Sequence, residues 1–112
     1  MIIAKPYASG DVVSFKLVGG EEIISRIGEE TETAYKLTKP VSLIATPQGG
    51  LGMAPAMYSA DLNSNSSIYL QKSLVIMHCM SRKEIADEYT RATSSIKPAS
   101  SLAGVLGGKS SS

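Results

Sequence analysis

Apolar and polar residues alternate along most of the chain up to Met80, and the period changes once, near Ser81. From Val12 to Val18, Val13, Phe15 and Leu17 share one parity while Ser14 and Lys16 take the other, the pattern of a half-buried strand. Gly19-Gly20 follows as a hairpin turn. Ile23 to Ile27 alternates again, with Ile23, Ser25 and Ile27 on one face and Ile24 and Arg26 on the other. The small Ser25 at an inward position suits a strongly bent strand, where a bulky side chain would crowd the interior. Gly28 to Thr33, carrying Glu29, Glu30 and Glu32, reads as a polar turn. Tyr35 to Thr46 is a third strand, with Tyr35, Leu37, Val41, Leu43 and Ala45 on one parity. Pro40 cannot donate to a ladder, so it marks a bulge or an unpaired edge position.

Pro47-Gln48-Gly49-Gly50 is the next turn, and Leu51 to Ala60 is a fourth apolar segment whose pairing Pro55 limits. Asp61 to Ser67 is polar and loop-like. Ile68 to Met80 reads as the last and longest strand, its apolar stripe broken by Lys72. At Ser81 the period becomes helical. Ser81 and Glu84 form a capping-box pattern, and Ile85, Tyr89, Ala92 and Ile96 recur at helical spacing. Asp87 and Arg91 are spaced for an i,i+4 ion pair, and Pro98 supports a stop, so the spacing predicts a helix over 81–96. Residues 97–112 are rich in Ser, Gly and Ala and read as a flexible tail, with Leu102, Val105 and Leu106 as a short docking patch. The organisation is thus an irregular lead over 1–10, a β-domain over 11–80, a helix and a tail. Five short, bent, antiparallel strands indicate a small barrel of Sm-like, SH3-like or OB type.

Composition narrows the chemistry by exclusion. With 112 residues, 43% of them hydrophobic and 19% charged, the chain is one small globular domain. Eleven basic and ten acidic residues leave a net charge of +1, which excludes a protein that coats a polyanion by bulk charge. One Cys and one His allow neither an internal disulfide nor an ordinary zinc site, and no apolar run is long enough to span a membrane. A cytoplasmic protein follows as the default. His78 and Cys79 are adjacent and so face opposite sides of a strand, a poor arrangement for a shared metal or a catalytic pair. The acidic clusters lie in turns, where solvated charge is expected. Gly104-Val-Leu-Gly-Gly-Lys-Ser has one residue too few for a phosphate loop. No catalytic residue, metal or cofactor is expected, and the chain does not read as an enzyme.

Two segments carry a family resemblance. Val13-Ser-Phe-Lys-Leu-Val-Gly-Gly-Glu-Glu-Ile-Ile-Ser-Arg-Ile27 resembles the first Sm motif of Sm and Lsm proteins, with Gly20, Ile23, Ser25 and Ile27 in its key places. Ile68-Tyr-Leu-Gln-Lys-Ser-Leu-Val-Ile76 is similar to the second motif, with Ile68, Tyr69, Leu70, Val75 and Ile76 in the hydrophobic places. With its helix after the last strand, the chain looks most like the small Sm-like proteins of marine tailed phages (cyanophages). It departs from the family where an Asp and an Asn would help form a base pocket, in Glu30-Thr-Glu-Thr-Ala-Tyr-Lys-Leu, and where Arg-Gly is replaced by Gln71 and Lys72.

The resemblance implies a five-stranded Sm-like (SH3-like) barrel that closes into a homo-oligomeric ring, one subunit's fourth strand pairing with the next subunit's fifth. Met53, Ala54, Ala56, Met57, Tyr58, Tyr69 and Val75 are the expected interface residues. Arg26, Lys36, Lys39, Gln71 and Lys72 are the candidate ligands for single-stranded RNA, with Tyr35, Tyr58 and Tyr69 as stacking faces. The expected function is a non-enzymatic ring scaffold acting on RNA in the cytoplasm, that of a host cell if the protein is phage-encoded. The alternative is a structural or protein-binding ring that uses the tail patch or the helix.

Overall fold

The computed structural model describes residues 6–60 and 67–94. Six strands and one helix follow in order: β1 (Val12–Leu17), β2 (Glu22–Glu30), β3 (Ala34–Ala45), β4 (Leu51–Pro55), β5 (Ile68–Gln71), a one-turn 3-10 helix (Lys72–Leu74), β6 (Val75–Met80) and α1 (Lys83–Ser94). All pairing is antiparallel, in the order β4-β3-β2-β1-β6, and β5 also pairs with β3. The β1–β2 hairpin turns at Gly20, whose φ of 100° only glycine adopts without strain.

β3 organises the sheet. Its first half, Ala34 to Leu37, pairs with β5, its second half, Val41 to Ala45, pairs with β4, and β2 runs along its other side. Between the halves is a bulge. Ile24 pairs with Val41 and Arg26 with Thr38, so β3 uses one residue more than β2 to cover the same stretch. Lys39 takes the left-handed conformation there, with φ 52°, and the buried Pro40 offers no amide to the ladder. The main-chain groups set free by the bulge find two hydroxyls. Tyr89 donates toward the carbonyls of Thr38 (2.7 Å) and Lys39 (2.9 Å) and accepts from the Arg26 amide (3.2 Å). Ser25 donates toward the carbonyls of Thr38 (2.9 Å) and Arg26 (2.8 Å).

The bend gives each face its own core. Val13, Phe15, Ile23, Ile27, Tyr35 and Leu37 pack on the inner face, joined by Ile68 and Leu70 of β5 and Val75 of β6. Val12, Ile24 and Val41 pack on the outer face under α1, against Tyr89, which is 1% exposed, and the partly buried Ile85 and Ala86. The helix thus covers the outer face of the sheet and turns its charged side to solvent.

Several expectations are corrected. The strand expected over 68–80 is two strands, because β3 and β1 stand apart in the sheet and one straight segment cannot pair with both. The 3-10 turn begins at Lys72, where the apolar stripe broke. The sheet is therefore six-stranded, and among the described residues its ladder does not close into a barrel. The fourth strand ends at Pro55. The Ser81 hydroxyl meets Ser14 (2.7 Å), and the described helix starts at Lys83. Asp87 pairs with Lys83 one turn earlier, while Arg91 pairs with Glu88. Residues 1–5 of the expected lead, residues 95–96 of the expected helix and the whole tail over 97–112, with its Leu102, Val105 and Leu106 patch, lie outside the described residues.

Removing the Tyr89 hydroxyl would take that partner from the Arg26 amide and the Lys39 carbonyl in a buried place, while the Thr38 carbonyl keeps its bond from Ser25. Tyr89→Phe is expected to destabilise the fold by about 1–3 kcal/mol in urea unfolding, with an unchanged m-value.

Candidate functional site

β6 is exposed on both faces. After the half-buried Val75, every residue from Ile76 to Met80 is exposed, with Ile76 at 57%, Met77 at 61% and Met80 at 50%. The register explains the two faces. His78 and Met80 stand opposite Phe15 and Val13 on the inner side, and Met77 and Cys79 stand opposite Lys16 and Ser14 on the outer side. An open groove of about 570 Å³ runs along this strand pair, lined in part by Lys16, Glu22, Met77 and Cys79. β6 pairs with β1 alone, so its other edge has main-chain donors and acceptors with no ladder partner among the described residues. At the opposite end of the sheet, β4 and β5 each pair only with β3. Leu51, at 63% exposed, and Met57 lie open beside that edge.

A second feature joins the β2–β3 turn to the 3-10 helix. The Lys72 ammonium pairs with the Glu30 carboxylate and lies 5.2 Å from the centre of the Tyr35 ring. The Lys72 amide donates to the Thr33 carbonyl (2.8 Å). Tyr35 packs against Phe15 (5.0 Å between ring centres) and His78 (5.9 Å), and the Tyr7 hydroxyl meets His78 Nδ1 at 2.6 Å. Burial pushes the Tyr35 hydroxyl above its ordinary range, the Glu30 charge adds to the rise, and Lys72 opposes it. Tyr7 is raised too, by burial first and then by Cys79 and Tyr35.

The expected RNA ligands do not form one cluster. Lys72 is engaged by Glu30. Arg26 donates to the Gly10 carbonyl (2.8 Å) and to Thr90 Oγ1 (3.3 Å), beside α1. Lys39 lies at the bulge near Ala92 and Thr93, at the end of α1. Lys36 pairs with Tyr69 across β3 and β5, and Gln71 pairs with Ala34 on the same face. The expected interface residues also divide. Met53 packs toward the helix-side core, Ala56 and Val75 pack on the inner core, and Ala54 is half-buried. Met57, Tyr58 and Tyr69 are exposed. The sequence reading missed Ile76, Met77 and Met80 as surface residues. The signal was present: Val-Ile-Met-His-Cys-Met has apolar residues on both parities and no acid, Lys or Arg.

Among the described residues no three His, Cys, Asp or Glu side chains come together as a metal site, and no helix is long and apolar enough to cross a membrane. No protein-family model matches the sequence, and no curated protein matches it.

The Lys72 ammonium stabilises the Tyr35 phenolate, so removing it should make that phenolate harder to form. Lys72→Met is expected to move the Tyr35 ionisation to higher pH, and Glu30→Gln to lower pH. Both are read from phenolate absorbance in an alkaline titration.

Proposed function

We propose that the chain is a non-enzymatic, Sm-like scaffold that assembles with copies of itself into a closed ring. The β4–β5 edge of one subunit pairs with β6 of the next. The observation that carries this reading is the condition of β6, an unpaired strand edge, apolar and exposed on both faces. Edge strands in lone subunits are commonly blunted by lysine, proline or a covering loop. β6 contains neither lysine nor proline. A second copy would satisfy its main-chain groups and cover Ile76, Met77 and Met80 in one step.

The two edges belong to different strands, so the contact is head-to-tail. Such contacts generate rings where the rotation closes. The Sm-like part of the proposal rests on three features. The β1–β2 hairpin turns at Gly20 and points Ile23 and Ile27 inward. Ser25 is fully buried at the bend. A 3-10 turn hands the chain from the β3 side of the sheet to β1. The function of such an assembly lies in the repeated surface it presents.

Native mass spectrometry and sedimentation at micromolar concentration are expected to give one multimer of defined subunit number. Met77→Lys places a charge on the β6 edge. It should raise the dissociation constant by roughly 30-fold or more, the scale of losing an interface anchor, with an unchanged circular dichroism spectrum. A parent chain that stays monomeric at that concentration would overturn the proposal.

A further inference from the structure

α1 leaves part of the outer face bare. The helix packs over Val12, Ile24 and Val41, one residue each from β1, β2 and β3, with Met53 of β4 beside them. Farther along the same face, Ser14 and Lys16 of β1, Glu22 of β2, and Met77 and Cys79 of β6 line the open groove of about 570 Å³. The Lys16–Glu22 ion pair (3.6 Å) stands on its β2 side. Met77 is 61% exposed and Cys79 is exposed, so no described element covers them. Main-chain pairing across the β6 edge does not change this. A strand added beside β6 lies in the plane of the sheet, and the outward side chains of β6 need a layer above that plane.

The chain has a segment suited to that layer, and it departs from the other side of the sheet. α1 begins next to β6 and β1, where the Ser81 amide donates to the Val12 carbonyl (3.1 Å). It ends on β3 and β4, where Ala92 and Thr93 share a small cleft with Val41, Met53 and Pro55. Its 12 residues carry the chain about 18 Å. That is close to the roughly 19 Å of four interstrand spacings between β6 and β4. The chain after Ser94 therefore departs from the β4 edge, the one that meets β6 of the next subunit. Residues 95–112 hold no acid and no aromatic residue, and Leu102-Ala-Gly-Val-Leu106 is their apolar run. Leu102 follows Ser94 by eight positions, a reach of at most about 29 Å. One to two interstrand spacings, about 5–10 Å, separate β4 from the groove of the next subunit. To reach its own groove the chain would have to retrace the whole sheet over the charged side of α1.

We propose that Leu102, Val105 and Leu106 of one subunit seat in the β1–β6 groove of the next, over Met77 and Cys79. The inference rests on the edge-paired assembly proposed above and names what covers its outer face. Strand pairing fixes the neighbour, and the arm adds an apolar contact where pairing leaves the face bare. Gly104, with no side chain, lets the backbone between the anchors come close to the sheet. An arm tethered this near its groove binds at high effective concentration, so a small apolar contact is enough to hold it.

Cys79 is the only cysteine, so its reaction with Ellman's reagent reads the cover over the groove. The full chain is compared with the double variant Leu102→Ser, Leu106→Ser at a concentration where native mass spectrometry shows both as multimers. Leu106→Ser alone, a milder change, serves where the double variant does not assemble. Cys79 should react at least about 10-fold faster in the variant multimer than in the parent multimer. The subunit dissociation constant of the variant should rise roughly 10-fold or more, the scale of uncovering one leucine. Diluted to single subunits, parent and variant should react alike. Equal Cys79 reactivity in the two multimers would overturn the arm and leave the edge pairing standing. Protection in the parent that persists in diluted single subunits would put the segment on its own groove and overturn the proposal. A parent that shows no multimer at micromolar concentration would overturn the assembly itself, and the arm with it.

Discussion

The structure depends on how β3 satisfies its main chain at Thr38–Pro40. A strand of twelve residues with one flat register could carry one neighbour on each side. Here the extra residue at Lys39 bends β3 so that its two halves face β5 and β4 in turn. The bend has a cost: a left-handed non-glycine residue, commonly about 1–2 kcal/mol, and main-chain groups without ladder partners. The Ser25 and Tyr89 hydroxyls offset that cost by replacing the lost partners. A helix residue thus completes a bulge in the sheet, and α1 is as much a part of the β-fold as a cover for it.

The rest of the molecule follows from that bend. Curling brings β5 and the start of β6 round the inner core, where Ile68, Leu70 and Val75 pack against Phe15 and Tyr35. The 3-10 turn between β5 and β6 is tied to both neighbours, through the Lys72 amide to Thr33 and the Leu74 carbonyl to Val18. Beyond it β6 runs past the area that the inner core can cover and ends as an open edge. The same bend divides the cations. It turns Lys72 toward Glu30 at the rim of the inner core and leaves Arg26 and Lys36 on the outer face. One backbone irregularity thus accompanies both the unpaired β6 edge and the outer-face placing of Arg26 and Lys36.

Much of this was legible in the residues. Parity placed Val13, Phe15, Ile23 and Ile27 inward and Ile24 on the other face. The small Ser25 and the ladder-breaking Pro40 both pointed to the bend, and the helical spacing of Ile85 and Tyr89 pointed to α1. What was not legible depends on register. Whether Asp87 meets Lys83 or Arg91 is a choice between neighbours at similar reach. Whether Lys72 is free depends on Glu30, 42 positions away, arriving beside it through the β2–β3 turn. Alternation assigns a face to each strand residue, but it does not say whether anything covers that face. Ile76 and Met80, which share the apolar parity of the segment read as one long strand, are therefore surface where alternation alone would bury them.

Hydrogen–deuterium exchange of the full chain, compared at high and low protein concentration, tests the open edge most directly. The edge-pairing account predicts that β6 amides outside the β1 ladder are protected at high concentration and lose that protection on dilution, while amides of the β1–β2 ladder stay protected throughout. Outward β6 amides that exchange at the rate of an unstructured peptide at every concentration would contradict it.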